Sequence, residues 1–275
     1  MSTNDVTQQL AHLAGIVRSW IAAIWNSKTA VVSAVATAAG TALVCLWKSD
    51  RARRFYANRM NRLHFEYDGI MTNKKRQLFS KLESIKDDGG DGRLVILEIG
   101  CGGGTNLKYY PAGSELIFVE PNRHYEATLY ETARQHPELQ IMAFHVSPAE
   151  NMQEVESGSV DVVVSTTVFC SVDDPNQCLQ EIIRVLKPGG KFFFLEHVKA
   201  PRQFYIVRFI QVLIDFSPLW HLLFDSCRVS RNTGESIRKS GFSSVDLVES
   251  EAYELMELGF VGRVGRSIIS GTATK

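Results

Sequence analysis

The sequence predicts an α/β domain, doubly wound around a mostly parallel sheet of seven strands. Three observations carry that expectation. Short apolar runs alternate with amphipathic stretches through the middle of the chain, a glycine-rich turn follows directly on the first run, and two more strand-like runs come near the C-terminus.

A polar, glycine-containing break, KDDGGDGR (Lys86 to Arg93), precedes the first run, LVILEI (Leu94 to Ile99). ELIFVE (Glu115 to Glu120), IMAFHV (Ile141 to Val146), VDVVVS (Val160 to Ser165) and KFFFLEH (Lys191 to His197) follow. Each is a near-continuous apolar stretch of strand length, the pattern of a parallel strand buried on both faces. HYEATLYETARQH and NQCLQEIIRVL, between them, have helical spacing. LKPGG (Leu186 to Gly190) reads as a helix stop and a turn into the fifth strand. SSVDLVE and SIISGTAT supply two late strands that would close the sheet edge.

At 275 residues the chain is long enough for one such domain and an appendage. The domain is assigned to residues 93–275, a basic helical lead-in to 51–92, and a separate segment to 1–50. Formal charge is zero, with 30 basic and 30 acidic residues, so no nucleic-acid partner is expected. The lead-in departs from this balance: Lys48 to Lys86 holds 11 Lys/Arg against 4 Asp/Glu. The five cysteines show neither C-x-x-C nor His-paired spacing, so they read as reduced thiols and no metal is expected.

Thr29 to Trp47 runs for 19 residues without a charge, just long enough to cross a bilayer as a helix, although alanine and threonine dominate it. Trp20, Trp25 and Trp47 sit near its ends as interfacial anchors would. Upstream, Leu10, Leu13, Val17, Ile21 and Ile24 have the spacing of an amphipathic helix lying in the interface. The basic residues Lys48, Arg51, Arg53, Arg54, Arg59 and Arg62 would keep the following domain in the cytosol and favour anionic lipid. Residues 1–50 are therefore read as a hydrophobic helical membrane anchor, spanning or monotopic. The alternative is an alanine-rich helix packed on the domain.

The turn after the first strand, LEIGCGGGTNLKYYP, does not match a dinucleotide fingerprint, because Thr105 stands where the third glycine of G-x-G-x-x-G would be. Its pattern is E-x-G-x-G-x-G, from Glu98, Gly100, Gly102 and Gly104, with a carboxylate where a pyrophosphate site would not want one. A ligand with a zwitterionic amino-acid end fits both features: backbone N–H groups take its carboxylate and acidic groups favour its ammonium. S-adenosylmethionine has such an end and a cationic sulfonium besides. Glu120, ending the second strand, is placed to accept from both ribose hydroxyls, with Pro121 offering an apolar face beside them. The segment PAENM (Pro148 to Met152) would meet the adenine edge through Glu150 or the backbone near Ala149. Taken singly, a glycine cluster is a turn and Glu98 or Glu120 a carboxylate in a surface ion pair. At these spacings on alternating strands, they point to a cofactor site.

The chain here resembles a class I, Rossmann-like methyltransferase, and more closely the membrane-associated alkyl thiol S-methyltransferases of the methyltransferase-like protein seven family. The resemblance covers roughly Tyr56 to Lys275. It is carried by MTNKKRQLFSKL (Met71 to Leu82), the glycine turn, VEPN, GSVDVVVSTTVFCSV (Gly158 to Val172), RVLKPGGKFFFLEHV and WHLLFDSC (Trp220 to Cys227). It implies S-adenosyl-L-methionine as cofactor, Thr166 among its contacts, a small thiol as substrate, and membrane lipid as the partner of the N-terminal segment. It also implies residence in the endoplasmic reticulum membrane and lipid droplets. Glu120 departs from the family's usual Asp, and the N-terminal segment does not match in sequence.

A thiol must lose its proton to attack a sulfonium methyl group. His197, His221 and Asp225 are the candidate bases, each alternatively a structural residue. Cys170 and Cys227 are expected to line or support the fold. Pro201 to Phe224, apolar with interspersed charge, is expected to cap the acceptor pocket and touch the membrane. Two rivals stay open: a lipid, sterol or quinone acceptor for the same cofactor, and a membrane adaptor with a vestigial fold.

Overall fold

The computed structural model describes Gly15, residues 17–19, Ala22, 49–85 and 93–275. The chain divides into two compact units, 1–53 and 54–275. The run from Thr29 to Trp47, on which the membrane anchor was expected, lies outside the described residues, as does most of the break at 86–92. Among the described residues no helix is long and apolar enough to cross a membrane.

The basic lead-in forms one long helix, α1 (Asp50–Phe79). The alternating region then gives β1 (Val95–Ile99), β2 (Glu115–Val119), α2 (Glu126–Ala133), β3 (Gln140–His145), β4 (Val160–Thr166), α3 (Pro175–Val185) and β5 (Leu186–His197). Next come α4 (Tyr205–Asp215), α5 (Pro218–Leu223), α6 (Thr233–Lys239), β6 (Ser244–Glu251), α7 (Gly259–Gly265) and β7 (Ser267–Thr274). The seven strands form one sheet in the order β3-β2-β1-β4-β5-β7-β6. The first five pair in parallel, while β7 is antiparallel to both β5 and β6. Sequence reasoning placed two late strands at the edge; the fold inserts β7 between β5 and β6, so of these two only β6 is an edge strand, opposite β3 at the far edge of the sheet.

LKPGG also differs from its reading as a turn. Helix α3 stops at Val185 as expected, but the ladder begins immediately, with Leu186 opposite Val160. The glycines are absorbed by a register shift between Val160 and Val162, where Gly189 has a positive φ of 77°. Asp161, buried beside this irregularity, accepts from the Val95 N–H at 2.9 Å and pairs with Lys187 at 2.6 Å. One side chain thus fixes where β1 starts and where β5 enters.

The central strands β1, β4 and β5 read as continuous apolar runs because both faces are buried. Val163, Phe192 and Phe194 pack with Leu179, Ile182 and Ile237 on one side. Val162, Val164, Phe193 and Leu195 pack with Met71, Leu78, Phe79 and Leu129 on the other. Alternation along each strand sends neighbouring residues to opposite layers.

Candidate active site

A cavity of about 750 Å³ opens beyond the C-terminal ends of β1, β2, β4 and β5, within the size range of small-molecule sites. Its walls come from α1, the glycine turn, and the loops after β2, β3, β4 and β5. Tyr56, Met60, His64 and Tyr67, spaced three or four residues apart on α1, all face it.

Helix α1 is fastened over the glycine turn through Asp68 and Lys75, which pair with each other within the helix and reach residues of the turn. Lys75 Nζ lies 2.8 Å from Asp68 Oδ1 and 3.5 Å from Thr105 Oγ1. Lys108 reaches the other Asp68 oxygen at 2.6 Å, and the Tyr109 hydroxyl donates to Oδ1 at 3.3 Å. Close packing makes glycine necessary in the turn. At Gly102, φ is +49° and an added Cβ would stand 3.1 Å from His64 Nδ1; at Gly104, φ is +82° and it would stand 2.8 Å from Leu129. Burial lowers His64 to about 4, so its imidazole is neutral at physiological pH.

Glu120 is only 5% exposed and lines the cavity. Its Oε1 accepts from the Asn122 N–H at 3.0 Å and its Oε2 from the Gly102 N–H at 3.2 Å, so the carboxylate is held rigidly. Pro121, Ala149, Glu150, Gly100 and Gly102 line the same cavity. Glu150 braces two loops by accepting from the Asp173 N–H at 2.6 Å and the Asp174 N–H at 3.1 Å.

Three residues of the expected cofactor set lie off the cavity wall: Glu98, Gly104 and Thr166. Both Glu98 oxygens are engaged, by Asn106 Nδ2 at 2.8 Å and the Tyr110 hydroxyl at 2.6 Å. Asn106 Nδ2 also donates to Thr166 Oγ1 at 3.0 Å, so Glu98 and Thr166 brace the turn from beneath. The glycine N–H groups are likewise committed: Gly100 to Val119 O, Gly102 to Glu120 and Gly104 to Cys101 O. The role expected for them, binding a ligand carboxylate, therefore does not fall to these three N–H groups.

Of the candidate bases, His197 and Asp225 line the cavity and His221 does not. His221 Nε2 donates to the Asp215 carbonyl at 2.7 Å, which locks the ring inside the α4–α5 corner. His197 packs edge-on against Tyr67 with ring centroids 5.5 Å apart. Its Nε2 is buried and has no hydrogen-bond partner among the described residues. Asp225 and Ser226 have φ of +48° and +58°, and Thr167 has +58°; all three line the cavity. Strained non-glycine backbone concentrates at functional sites.

The residues that sequence reasoning missed are the α1 side chains and the meeting of Cys170, His197 and Cys227. The polar atoms of that trio lie within 4.8 Å of one another. Hydrogen bonding from Cys227 holds the Cys170 thiol well below its ordinary range, and Cys227 is raised in turn.

This sheet order, with a glycine turn after β1 and a fixed carboxylate ending β2, defines a class I S-adenosylmethionine-dependent methyltransferase. The residues fit that cofactor: a buried carboxylate faces the cavity, and the turn admits no Cβ where α1 crosses it. Glu120 would hold the ribose hydroxyls, and Pro121, Val119 and Ala149 would offer the apolar wall for the nucleoside.

Comparison with known proteins agrees. The family described as "Methyltransferase domain" matches residues 97–194. The chain is 41% identical over 186 residues to human thiol S-methyltransferase TMT1A, covering 68% of this chain and 74% of that protein. It is 41% identical over 177 residues to rat thiol S-methyltransferase TMT1B, covering 64% and 70%. Among solved structures, a SAM-dependent methyltransferase from Thermotoga maritima superposes with a TM-score of 0.52 at 19% identity, covering 80% of this chain and 99% of that one. The cyclase SpnF superposes equally well, at 0.52 and 18%, covering 73% and 80%. Such likenesses show the fold alone; the higher identity shows the family. This chain belongs to the thiol S-methyltransferase family and is an S-adenosylmethionine-dependent methyltransferase.

Cofactor affinity should depend on pH. Burial pushes Glu120 up to about 7, while a ribose diol needs the ionised carboxylate as acceptor. Below neutrality binding must first remove a proton, so affinity for S-adenosylhomocysteine is expected to fall about tenfold from pH 8 to pH 6. Calorimetry in buffers of different ionisation enthalpy would show proton release at pH 6; a flat affinity without release would contradict the assignment.

Proposed function

We propose that this enzyme methylates the sulfur of small or lipophilic thiols. The observation that carries the reading is the cavity lining. Met60, Trp220, Phe224 and Val261, together with the thiols Cys170 and Cys227, surround the space into which Glu120 faces. Such side chains suit a soft, neutral acceptor. The thiol substrate class in the names of the human and rat relatives supports the same reading.

Bound S-adenosylmethionine supplies a methyl group already activated on sulfur. The chain's own contributions are to fix the cofactor through Glu120, to exclude water with the α1 and α5 side chains, and to receive the acceptor's proton. His197 and Asp225 are the ionisable groups on the wall suited to that last task. The test uses the full chain reconstituted in membranes, methyl-labelled cofactor, and a small thiol paired with its alcohol analogue. Product from the thiol and none from the alcohol is expected; product from the alcohol alone, or from neither, sinks the reading.

We further propose that residues 1–50 hold the enzyme on the endoplasmic reticulum membrane and lipid droplets with the domain facing the cytosol. The uncharged run and its basic flank support this, as does an apolar face on the domain itself. Ile206, Phe209, Leu213 and Phe216, at helical spacing along α4 and its end, are 54–81% exposed. Deleting residues 1–50 is expected to release most of the protein from membranes, and adding Phe209→Glu with Phe216→Glu to release the rest. Persistent pelleting of the combined variant would count against this placement.

A further inference from the structure

We propose that Cys170, His197 and Cys227 form a three-ligand cup for a thiophilic metal ion of the zinc class, with a fourth position open to the cavity for the acceptor sulfur. The cup is argued from the fold alone; only the occupant of the fourth position rests on the thiol reading above.

The three residues are 27 and 30 positions apart in sequence, which is why no metal-ligand spacing is visible there. Three separate parts of the fold bring them together. Cys170 follows β4, His197 ends β5, and Cys227 follows α5. Their candidate ligand atoms lie within 4.8 Å of one another. A tetrahedral zinc ion, with Zn–S of about 2.3 Å and Zn–N of about 2.0 Å, separates its ligand atoms by about 3.5–3.8 Å. Closing the cup therefore needs side-chain shifts of about an ångström or less at each ligand.

The surroundings suit a site rather than a chance meeting. The two cysteine loops are tied together, since the Arg228 N–H donates to the Cys170 carbonyl at 2.8 Å. Trp220 Nε1 donates to the Cys227 carbonyl at 3.0 Å, and strained Asp225 and Ser226 lead directly into Cys227. The cysteines are buried free thiols, and buried His197 Nε2 lacks a hydrogen-bond partner. An unsatisfied buried imidazole nitrogen is costly, so this ring is not fully satisfied by protein groups alone. Two sulfurs and one imidazole select zinc or copper(I) over magnesium or calcium. Three protein ligands leave one coordination position, as in catalytic rather than structural zinc sites. All three ligands line the cavity, so that position faces the acceptor space.

The chemistry balances. The acceptor R–SH binds through sulfur and releases its proton to water, because coordination favours the thiolate and would commit His197 to the metal in place of the proton. A sulfur lone pair then forms the new S–CH3 bond as the donor's C–S⁺ bond breaks, its electron pair returning to the donor sulfur. The neutral thioether, a weaker ligand than thiolate, leaves the metal.

The test is cobalt titration of the full chain in detergent with a phosphine reductant, alongside elemental analysis of protein purified with zinc. One cobalt per chain is expected, with thiolate-to-cobalt charge-transfer bands that zinc removes. Cys170→Ser and Cys227→Ser should each lose the bands, His197→Ala should weaken binding at least about tenfold, and Cys178→Ala should bind as the parent does. Retained S-adenosylhomocysteine binding in each variant shows that the fold survives. No charge-transfer bands in the reduced parent chain, or unchanged bands in both cysteine variants, overturns the site. So does a Cys170–Cys227 disulfide by intact mass in air followed by no cobalt uptake after reduction. A change in the bands on adding a small thiol supports the open position, and no change overturns it. Full thiol methylation by metal-free chain removes the metal's role and leaves the proposed function standing. A metal-loaded chain that methylates no thiol does the reverse.

Discussion

Glu120→Ala is expected to weaken S-adenosylhomocysteine binding by about 100-fold or more. A carboxylate accepting from two ribose hydroxyls makes two charge-assisted hydrogen bonds, each contributing about 1.5–3 kcal/mol. Truncation also leaves the N–H groups of Gly102 and Asn122 without the oxygens that now accept from them, which loosens the turn over which α1 lies. Glu120→Gln keeps one acceptor and should lose about tenfold. Calorimetry on folded variants decides the matter: affinity unchanged in Glu120→Ala would remove Glu120 from the cofactor site.

The second large effect concerns stability. Glu196 is fully buried, and the Ser165 hydroxyl donates to its Oε1. The Val168 N–H donates to Oε1 at 3.2 Å and the Phe169 N–H to Oε2 at 3.0 Å. One side chain from β5 thereby organises the turn after β4, which contributes Thr167, Val168 and Cys170 to the cavity. Glu196→Ala strands three buried donors and leaves a void, and is expected to cost about 3–5 kcal/mol in urea unfolding. Glu196→Gln keeps the shape and Oε1, and should cost under about 1.5 kcal/mol.

The sign of the pH effect follows from the same burial, which raises Glu196 from 4.5 to about 8, with Cys170 adding to the rise. The folded form then holds a proton that the unfolded chain has released, so this group's contribution falls as pH climbs from 4.5 towards 8. Glu196→Gln should remove that part of the pH slope. A slope identical to the parent's would show that Glu196 titrates normally in the folded chain.

Much of this was legible in the sequence because it depends on local pattern. The five parallel strands were visible as apolar runs, and Glu120 and the glycine turn were visible at their ends. What was hidden depends on which distant segments meet. Lys75 reads as one more charge in a basic stretch, yet it is 2% exposed and paired with Asp68. Asp68 stands seven residues earlier on the same helix, but the turn residues Thr105 and Lys108 that meet the pair are distant, and nothing local reports them or the cluster of His197 with two cysteines from other loops. Glu98 was placed correctly at a strand end but given the wrong neighbours, since Asn106 and Tyr110 lie 8 and 12 residues further on and fold back beneath the turn. The position of β7 was equally hidden, because strand patterning gives no order across a sheet.

That strand order bears on how the molecule is made. β7 is the last strand in chain order but occupies an interior slot, holding seven residues of β5 on one side and eight of β6 on the other. During synthesis β6 emerges from the ribosome before the strand that will hold it, and one edge of β5 waits exposed with its apolar side chains. Sheet closure thus waits on the strand made last of the seven. A nascent chain of this design keeps an open edge prone to wrong pairing until residues 267–274 slide into place.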